Sequence, residues 1–284
     1  MEIPLAKTVL ITGASSGIGE AAARALVAKG HHVYAGVRKA ADGERLAREL
    51  GERCTPLTLD TTIPEQIAAA AQSIESSGLD ALVNNAGIAV PGPLEFIPLD
   101  EFRRQFEVNV FGVVAVTQAM LPLLRKKRGR VINVGSIGGR NALPFAGAYT
   151  SSKHAIEALT QSLRMELAPF GLAVSLIEPG AVKTPIWQRS DALGETILST
   201  ASPEANTYYG DSIAAMRKFA AKTGAGGIAP EVVAAAIVHA VESARPKLRY
   251  TLGTDARAQL ALKSIVPTRA RERLLRYALT GKSG

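Results

Sequence analysis

Tyr149 and Lys153 stand four residues apart, and Ser136 lies thirteen residues before the tyrosine. Four residues is one helical turn, so a helix here puts the ammonium and the phenol on one face. A cation beside a phenol favours the phenolate and lowers its pKa from about 10 toward neutrality. Such a tyrosine serves as a general acid or base. Ser136 follows the apolar run Val131-Ile132-Asn133-Val134, which places a hydroxyl at a strand end to hold a carbonyl oxygen. A Tyr–Lys pair at this spacing is, alone, ordinary helix-surface chemistry. Its significance depends on the elements that position it.

The first of those elements is nucleotide-like. Residues 7–12 read as a short buried strand and run into Gly13-Ala14-Ser15-Ser16-Gly17-Ile18-Gly19. A helical pattern follows to Lys29, stops at Gly30, and gives way to a second strand over 32–37. Strand, glycine turn, helix and strand is the context in which a glycine cluster binds a dinucleotide. Gly13 permits the sharp turn, Gly17 lets backbone approach a pyrophosphate, and Gly19 lets the helix pack close to the sheet. The helix start then offers unpaired N–H groups to the anion. The spacing is Gly-x3-Gly-x-Gly rather than the more usual Gly-x-Gly-x2-Gly. At the end of the second strand an acid would select a free ribose 2′-hydroxyl. This chain instead has Arg38 and Lys39, a planar fork and a second cation suited to a 2′-phosphate, so NADP(H) is expected over NAD(H). The alternative is a pair of solvated loop cations.

With these blocks in place, the chain resembles the short-chain dehydrogenases/reductases from Lys7 to about Leu252. The matching residues are Thr12 to Gly19, Asp60, Asn84-Asn85-Ala86-Gly87, Asn109, Ser136, Tyr149, Lys153, Pro179-Gly180 and Thr184. Tyr34-Ala35-Gly36-Val37-Arg38, Leu163 to Gly171 and Ile177-Glu178-Pro179-Gly180 resemble the branch that contains 17β-hydroxysteroid and retinol dehydrogenases. The resemblance implies one α/β domain, a Rossmann-type doubly wound parallel sheet of about seven strands with helices on both faces. It implies reversible hydride transfer between a nicotinamide and a carbonyl or alcohol. Tyr149 is then the acid/base, and Lys153 lowers its pKa and bonds the nicotinamide ribose. Ser136 positions the substrate oxygen, and Asn109 holds a water that relays protons through Lys153. Asp60 and Thr61 lie by the adenine, and Asn85, Ala86 and Gly87 run along the cofactor. Pro179, Gly180, Val182 and Thr184 meet the nicotinamide end. Two departures are Thr61, where the family often has Val or Leu, and Gly135, where a second Ser is frequent. Neither removes a group that the chemistry requires. Relatives pair their equivalents of helices 99–127 and 149–168 across two-fold axes, so a homodimer or homotetramer is expected.

Alternation of strands (7–12, 32–37, 54–59, 79–83, 130–135, 172–178, 248–252) with helices (17–29, 42–50, 64–77, 99–127, 149–168, 230–243) gives a parallel sheet with ligands beyond its carboxyl edge. Residues 1–253 are expected to form the catalytic domain. Residues 185–229 break the rhythm and read as a lid hinged by Gly224-Ala225-Gly226-Gly227. Trp187, Tyr208, Tyr209, Ile213, Met216 and Phe219 in the lid, with Leu143 and Phe145 opposite, suggest a mainly apolar ketone or alcohol, and no charged anchor stands out. For any one of these residues, packing of the lid on the body is an equal alternative.

Of 284 residues, 47% are hydrophobic and 20% charged, ample for one large core. No run of 18 apolar residues predicts a membrane span, and no signal peptide precedes the first strand. One cysteine, Cys54, excludes an internal disulfide, and no Cys/His cluster suggests a metal. A cytoplasmic protein is expected. From Arg245 onward ten Lys or Arg oppose two acids, an excess equal to the whole net charge of +8. Residues 254–284 therefore form a basic, helical C-terminal extension. Within it 268–280 is amphipathic, with Leu274, Leu275, Ala278 and Leu279 on one side and Arg269, Arg273 and Arg276 on others. It packs on the domain or covers the substrate mouth. The alternatives are a membrane-surface or partner-binding helix, and a non-catalytic NADP(H) sensor. Aromatic residues at 5% and the absence of a recognition motif argue against nucleic acid.

Overall fold

The structure, a computed structural model, describes residues 6–280, with side chains through 277. Residues 1–5 and 281–284, and the side chains of Ala278 and Leu279, lie outside the described residues. Seven strands, β1 (Thr8–Thr12), β2 (His32–Val37), β3 (Cys54–Thr58), β4 (Ala81–Asn84), β5 (Arg130–Val134), β6 (Ala173–Pro179) and β7 (Arg249–Leu252), form one sheet in the order β3-β2-β1-β4-β5-β6-β7. Every pairing is parallel.

The crossovers are helices, so both faces are covered. Helices α1 (Gly17–Ala28), α2 (Ala40–Leu50) and α9 (Pro230–Glu242) bury one face. Helices α3 (Pro64–Ile74), α5 (Gly112–Lys127) and α6 (Gly147–Leu167) bury the other. Within β1 the period of two sorts side chains between the layers: Val9 and Ile11 enter the first core and Leu10 the second. The chain reverses its winding between β1 and β4. Brought together at that switch point, the carboxyl ends of these strands make the ligand crevice.

The segment 99–127 is not one uniform helix. Helix α4 (Leu99–Phe106) passes through a π turn at Glu107–Phe111 into α5. By length and composition Leu99–Lys127 could cross a membrane. In this fold Val116, Met120, Leu123 and Leu124 instead pack against the sheet and α3.

The expected lid is helical rather than loop-like. Helices α7 (Ile186–Thr200) and α8 (Pro203–Gly226) fill 185–229. The expected glycine hinge is also replaced. A Cβ on Gly224 would lie 2.8 Å from the Trp187 ring, and one on Gly227 would lie 2.8 Å from the Ala181 carbonyl carbon. These glycines therefore permit close packing at the end of α8. Beyond β7 come α10 (Thr254–Ile265) and α11 (Thr268–Thr280), and α11 lies against α8.

Candidate active site

The glycine turn sits at the carboxyl end of β1. Gly13 and Gly17 take φ of 66° and 58°, the left-handed region that favours glycine. A Cβ on Gly19 would collide with the Gly13 carbonyl oxygen and the Asn85 amide. Ser16 caps α1 with its backbone alone and makes no side-chain cap, so the first amides of the helix remain for an anion. The turn is braced from below. Thr12 Oγ1 accepts the amides of Asn85 and Ala86, both at 3.0 Å, and Asn85 Nδ2 donates to the carbonyls of Thr12 and Gly13 at 3.0 and 3.1 Å. Asn85 thus shapes the turn with its side chain, while Ala86 lies against Gly13.

The remaining expected cofactor residues ring the same edge of the sheet. Arg38 and Lys39 are exposed beyond β2. Asp60, beyond β3, accepts the amide and hydroxyl of Thr62 and closes the loop before α3. Thr61 is buried against Gly112, so its side chain faces α5 rather than the crevice. Gly87 approaches Asn109, and Ser15 and Ile18 are half-buried in the turn. Pro179 ends β6, and Gly180 donates to the Leu252 carbonyl at 2.9 Å. Val182 is buried and accepts Trp187 Nε1 at 2.8 Å. Thr184 abuts Gly17, where an added Cβ would stand 3.0 Å from Thr184 Cγ2. This contact joins the glycine turn to the β6–α7 loop. On the same side Arg189 of α7 donates to Ser16 Oγ at 3.5 Å. The cradle of glycines, the uncapped helix start and the flanking cations match a dinucleotide with its pyrophosphate at α1.

Next to this crevice, α6 carries Tyr149 and Lys153. Lys153 Nζ donates to the Val134 carbonyl at 2.9 Å and lies 5.9 Å from the Tyr149 ring centre. Ser136 follows β5 in an extended conformation, and its Oγ accepts the Gly138 amide at 3.0 Å. The same hydroxyl hydrogen-bonds Tyr149. Gly138 keeps this corner open, since a Cβ there would lie 3.3 Å from the tyrosine ring and 3.4 Å from Ser136 Oγ. Burial raises the Tyr149 phenol above its ordinary range, and the bond to Ser136 opposes that rise. Burial also pushes Lys153 down to about 8. The Lys153 ammonium bonds a main-chain carbonyl and is not among the causes that shift the phenol.

Asn109 lies in the π turn and is buried. Its Oδ1 accepts the Ile88 amide at 2.9 Å, and its Nδ2 donates to the Ile88 carbonyl at 3.0 Å and to Ser152 Oγ at 3.2 Å. Both Nδ2 protons are engaged, and Oδ1 accepts one bond, so the side chain ties the π turn to Ile88 and to α6. A polar ladder runs beneath the site: Asn84 bonds Thr117 and Asn133, and Asn133 bonds Thr160, each at 2.9 Å.

Ser136 and Tyr149 open into a cavity of about 720 Å³. Leu143, Phe145 and Trp187 line it, as expected, with Ile213, Met216 and Phe219 of α8. Phe145 adopts φ of 60°, an unusual conformation for a bulky residue and one that marks functional loops. Tyr208 is exposed, and Tyr209 packs edge-on against Phe96 and Phe145 instead of lining the cavity. Gln259 and Leu262 of α10 and Leu274 and Leu275 of α11 also line it, and α11 is the helix expected to pack on the domain or cover the substrate mouth. Asp255, unforeseen, pins the β6 end by accepting the Ala181 amide at 2.9 Å. The amphipathic pattern of 268–280 carries the signal for α11, whereas the lining residues of α10 have no such signal in the sequence.

The sequence profile described as short chain dehydrogenase matches residues 7–193. Human retinol dehydrogenase 16 is 38% identical over 92% of this chain and 85% of its own length. The NADPH-dependent 3-dehydrocapnine reductase of Ornithobacterium rhinotracheale is 36% identical over 93% of this chain and 94% of its own. The crystal structure of a short chain dehydrogenase/reductase from Burkholderia phymatum in complex with NAD superposes with a TM-score of 0.79 at 25% identity, covering 93% of this chain and 95% of that one.

Proposed function

Because the chain belongs to the short-chain dehydrogenase family, in its retinol dehydrogenase-like branch, we propose that it transfers hydride between NADP(H) and the carbonyl or secondary alcohol of a mainly apolar substrate, with Tyr149 as the general acid/base. As a family member it is an oxidoreductase acting on CH–OH and C=O groups with a nicotinamide cofactor. The observation that carries the finer reading is the junction of two spaces. The Ser136–Tyr149 pair stands at the floor of the apolar cavity, and Lys153 lies behind it on the nucleotide side.

The nicotinamide, when bound, supplies or takes the hydride. The rest falls to the protein. Ser136 Oγ holds the substrate oxygen, and Tyr149 Oη gives that oxygen a proton as the C=O π pair moves onto it. The Lys153 ammonium, one helical turn away, stabilises the tyrosinate left behind. The start of α1 holds the pyrophosphate, and Arg38 and Lys39 take the 2′-phosphate. NADPH dependence in the Ornithobacterium enzyme supports this preference, while NAD in the Burkholderia structure shows that related folds accept either cofactor. Pairing of two chains through α5 and α6 is supported by Leu159 and Met165, exposed on α6, and Phe111, exposed beside α5. The basic α11 is read as a cover for the cavity mouth, since it both lines the cavity and packs on α8.

A panel of aliphatic, alicyclic and aromatic ketones, each incubated with NADPH or NADH and followed by loss of reduced-nicotinamide absorbance, tests this reading. Turnover of apolar ketones with NADPH preferred supports it. No turnover of any ketone, or of the matching alcohols with the oxidised cofactors, counts against it.

A further inference from the structure

Three cations converge where the two C-terminal helices close the cavity. Arg140 follows the Ser136 corner, Lys263 lies in the last turn of α10, and Arg271 lies in the first turn of α11; all three line the cavity. They are tied to one another through main chain. Lys263 Nζ donates to the Arg140 carbonyl, and Arg271 donates to the Lys263 carbonyl at 3.5 Å. Arg140 and Arg271 are half-buried. Among the described residues none of the three forms an ion pair with a carboxylate.

The acids nearby are otherwise engaged or face water. Asp191 is held bidentate by Arg217 at 2.7 and 2.8 Å. Asp255 accepts the Ala181 amide. Glu178, which feels the Arg140 charge, is held by Arg249. Glu272 is exposed. Asp191, Asp255, Glu272 and Arg217 also line the mainly apolar cavity, and with those acids engaged or exposed, an anion that bonds the half-buried guanidinium groups gains charge-assisted hydrogen bonds.

We propose that the substrate is an amphiphile: an apolar body carrying the reacting carbonyl toward Tyr149, and an anionic group (carboxylate, sulfonate or phosphate) held by Arg140, Lys263 and Arg271 where the C-terminal helices line the cavity. The C-terminal helices then supply the specificity of the site as well as its cover. This rests on the assignment of the cavity as the site of carbonyl reduction and names the substrate class for it.

Trp187 is the only tryptophan of the chain and lines the cavity, so its fluorescence reports occupancy without turnover. The full chain is titrated with octanoate, decanoate and dodecanoate, and with the alkan-1-ols of the same lengths. At the best length the acid is expected to bind about tenfold or more tightly than its alcohol, as charge-assisted hydrogen bonds require. Arg140→Met, Arg271→Met and the exposed-site variant Lys263→Met each reduce that preference, and Arg271→Lys restores part of it. A structural role for these residues would weaken acids and alcohols alike. Acids no better than alcohols at every length, or a preference unchanged in all three Met variants, overturns the proposal. An acid preference in a protein that reduces no ketone leaves the anion subsite standing and removes the redox assignment instead.

Discussion

The Lys153 ammonium lies 5.9 Å from the centre of the Tyr149 ring, one turn along the same helix, while its proton bonds to the Val134 carbonyl. The lysine is thus aimed by β5 and the tyrosine by the Ser136 corner. Burial lowers Lys153 to about 8 and raises Tyr149, so the pair keeps a cation beside a neutral phenol at neutral pH.

The sign of the pH dependence follows from that arrangement. As pH rises through about 8 the ammonium loses its charge, and with it the support for the tyrosinate. For reduction, kcat/KM is expected to be level below about pH 7 and to fall toward tenfold per pH unit above about 8. Lys153→Arg retains the charge and moves the falling limb upward. A wild-type profile flat to about pH 10 would refute the role of the lysine.

Cofactor preference is placed on Arg38 and Lys39. Both are exposed, so their interaction with a phosphate is screened and each contributes modestly. Arg38→Ala is expected to weaken NADPH about tenfold and NADH less than about twofold. Equal losses, measured as Kd by nicotinamide fluorescence, would remove the 2′-phosphate assignment.

At Gly19 a methyl group would strike the Gly13 carbonyl oxygen and the Asn85 amide. Gly19→Ala must therefore push α1 away from the turn, at a cost of about 1–3 kcal/mol. Thermal unfolding should fall by several degrees, at roughly 2–4 °C per kcal/mol, and NADPH affinity should fall with it. An unchanged Tm together with unchanged affinity contradicts the tight-turn account.

The polar ladder beneath the sheet gives a stability prediction with no catalytic content. Asn133→Ala removes one of two partners from each of Asn84, which keeps Thr117, and Thr160, which keeps the Ile156 carbonyl. The one Asn84 N–H left unpaired in the core costs about 1–3 kcal/mol, so chemical denaturation should show a loss of that order. A loss under about 0.5 kcal/mol would mean that water replaces Asn133.

Much of this was legible in the chain because the signals are local. The alternating elements and the glycine turn from Gly13 to Gly19 indicate the sheet, and the spacing of Ser136, Tyr149 and Lys153 indicates a strand end and one face of the helix beside it. What escaped was settled by tertiary contact. Residues 185–229 lack a strong period, because α7 and α8 are largely exposed and bury little. Their helices have no clear signal in the sequence, and Gly224, which reads as a hinge, instead admits the Trp187 ring. The side chain of Asn109 bonds Ile88 and Ser152, which spacing alone does not reveal. The cations Arg140, Lys263 and Arg271 are far apart in sequence and meet only through the fold of α10 and α11.

The most direct test follows a single turnover. The NADPH complex is mixed rapidly with the best ketone from the panel, and loss of the reduced nicotinamide is timed in the wild type and in Tyr149→Phe. The account predicts a rate lower by about 10²–10⁴ in the variant, the contribution typical of a positioned proton donor, with NADPH affinity within about twofold. A variant that oxidises NADPH within about threefold of the wild-type rate would show that the proton comes from elsewhere and would contradict the central role given to Tyr149.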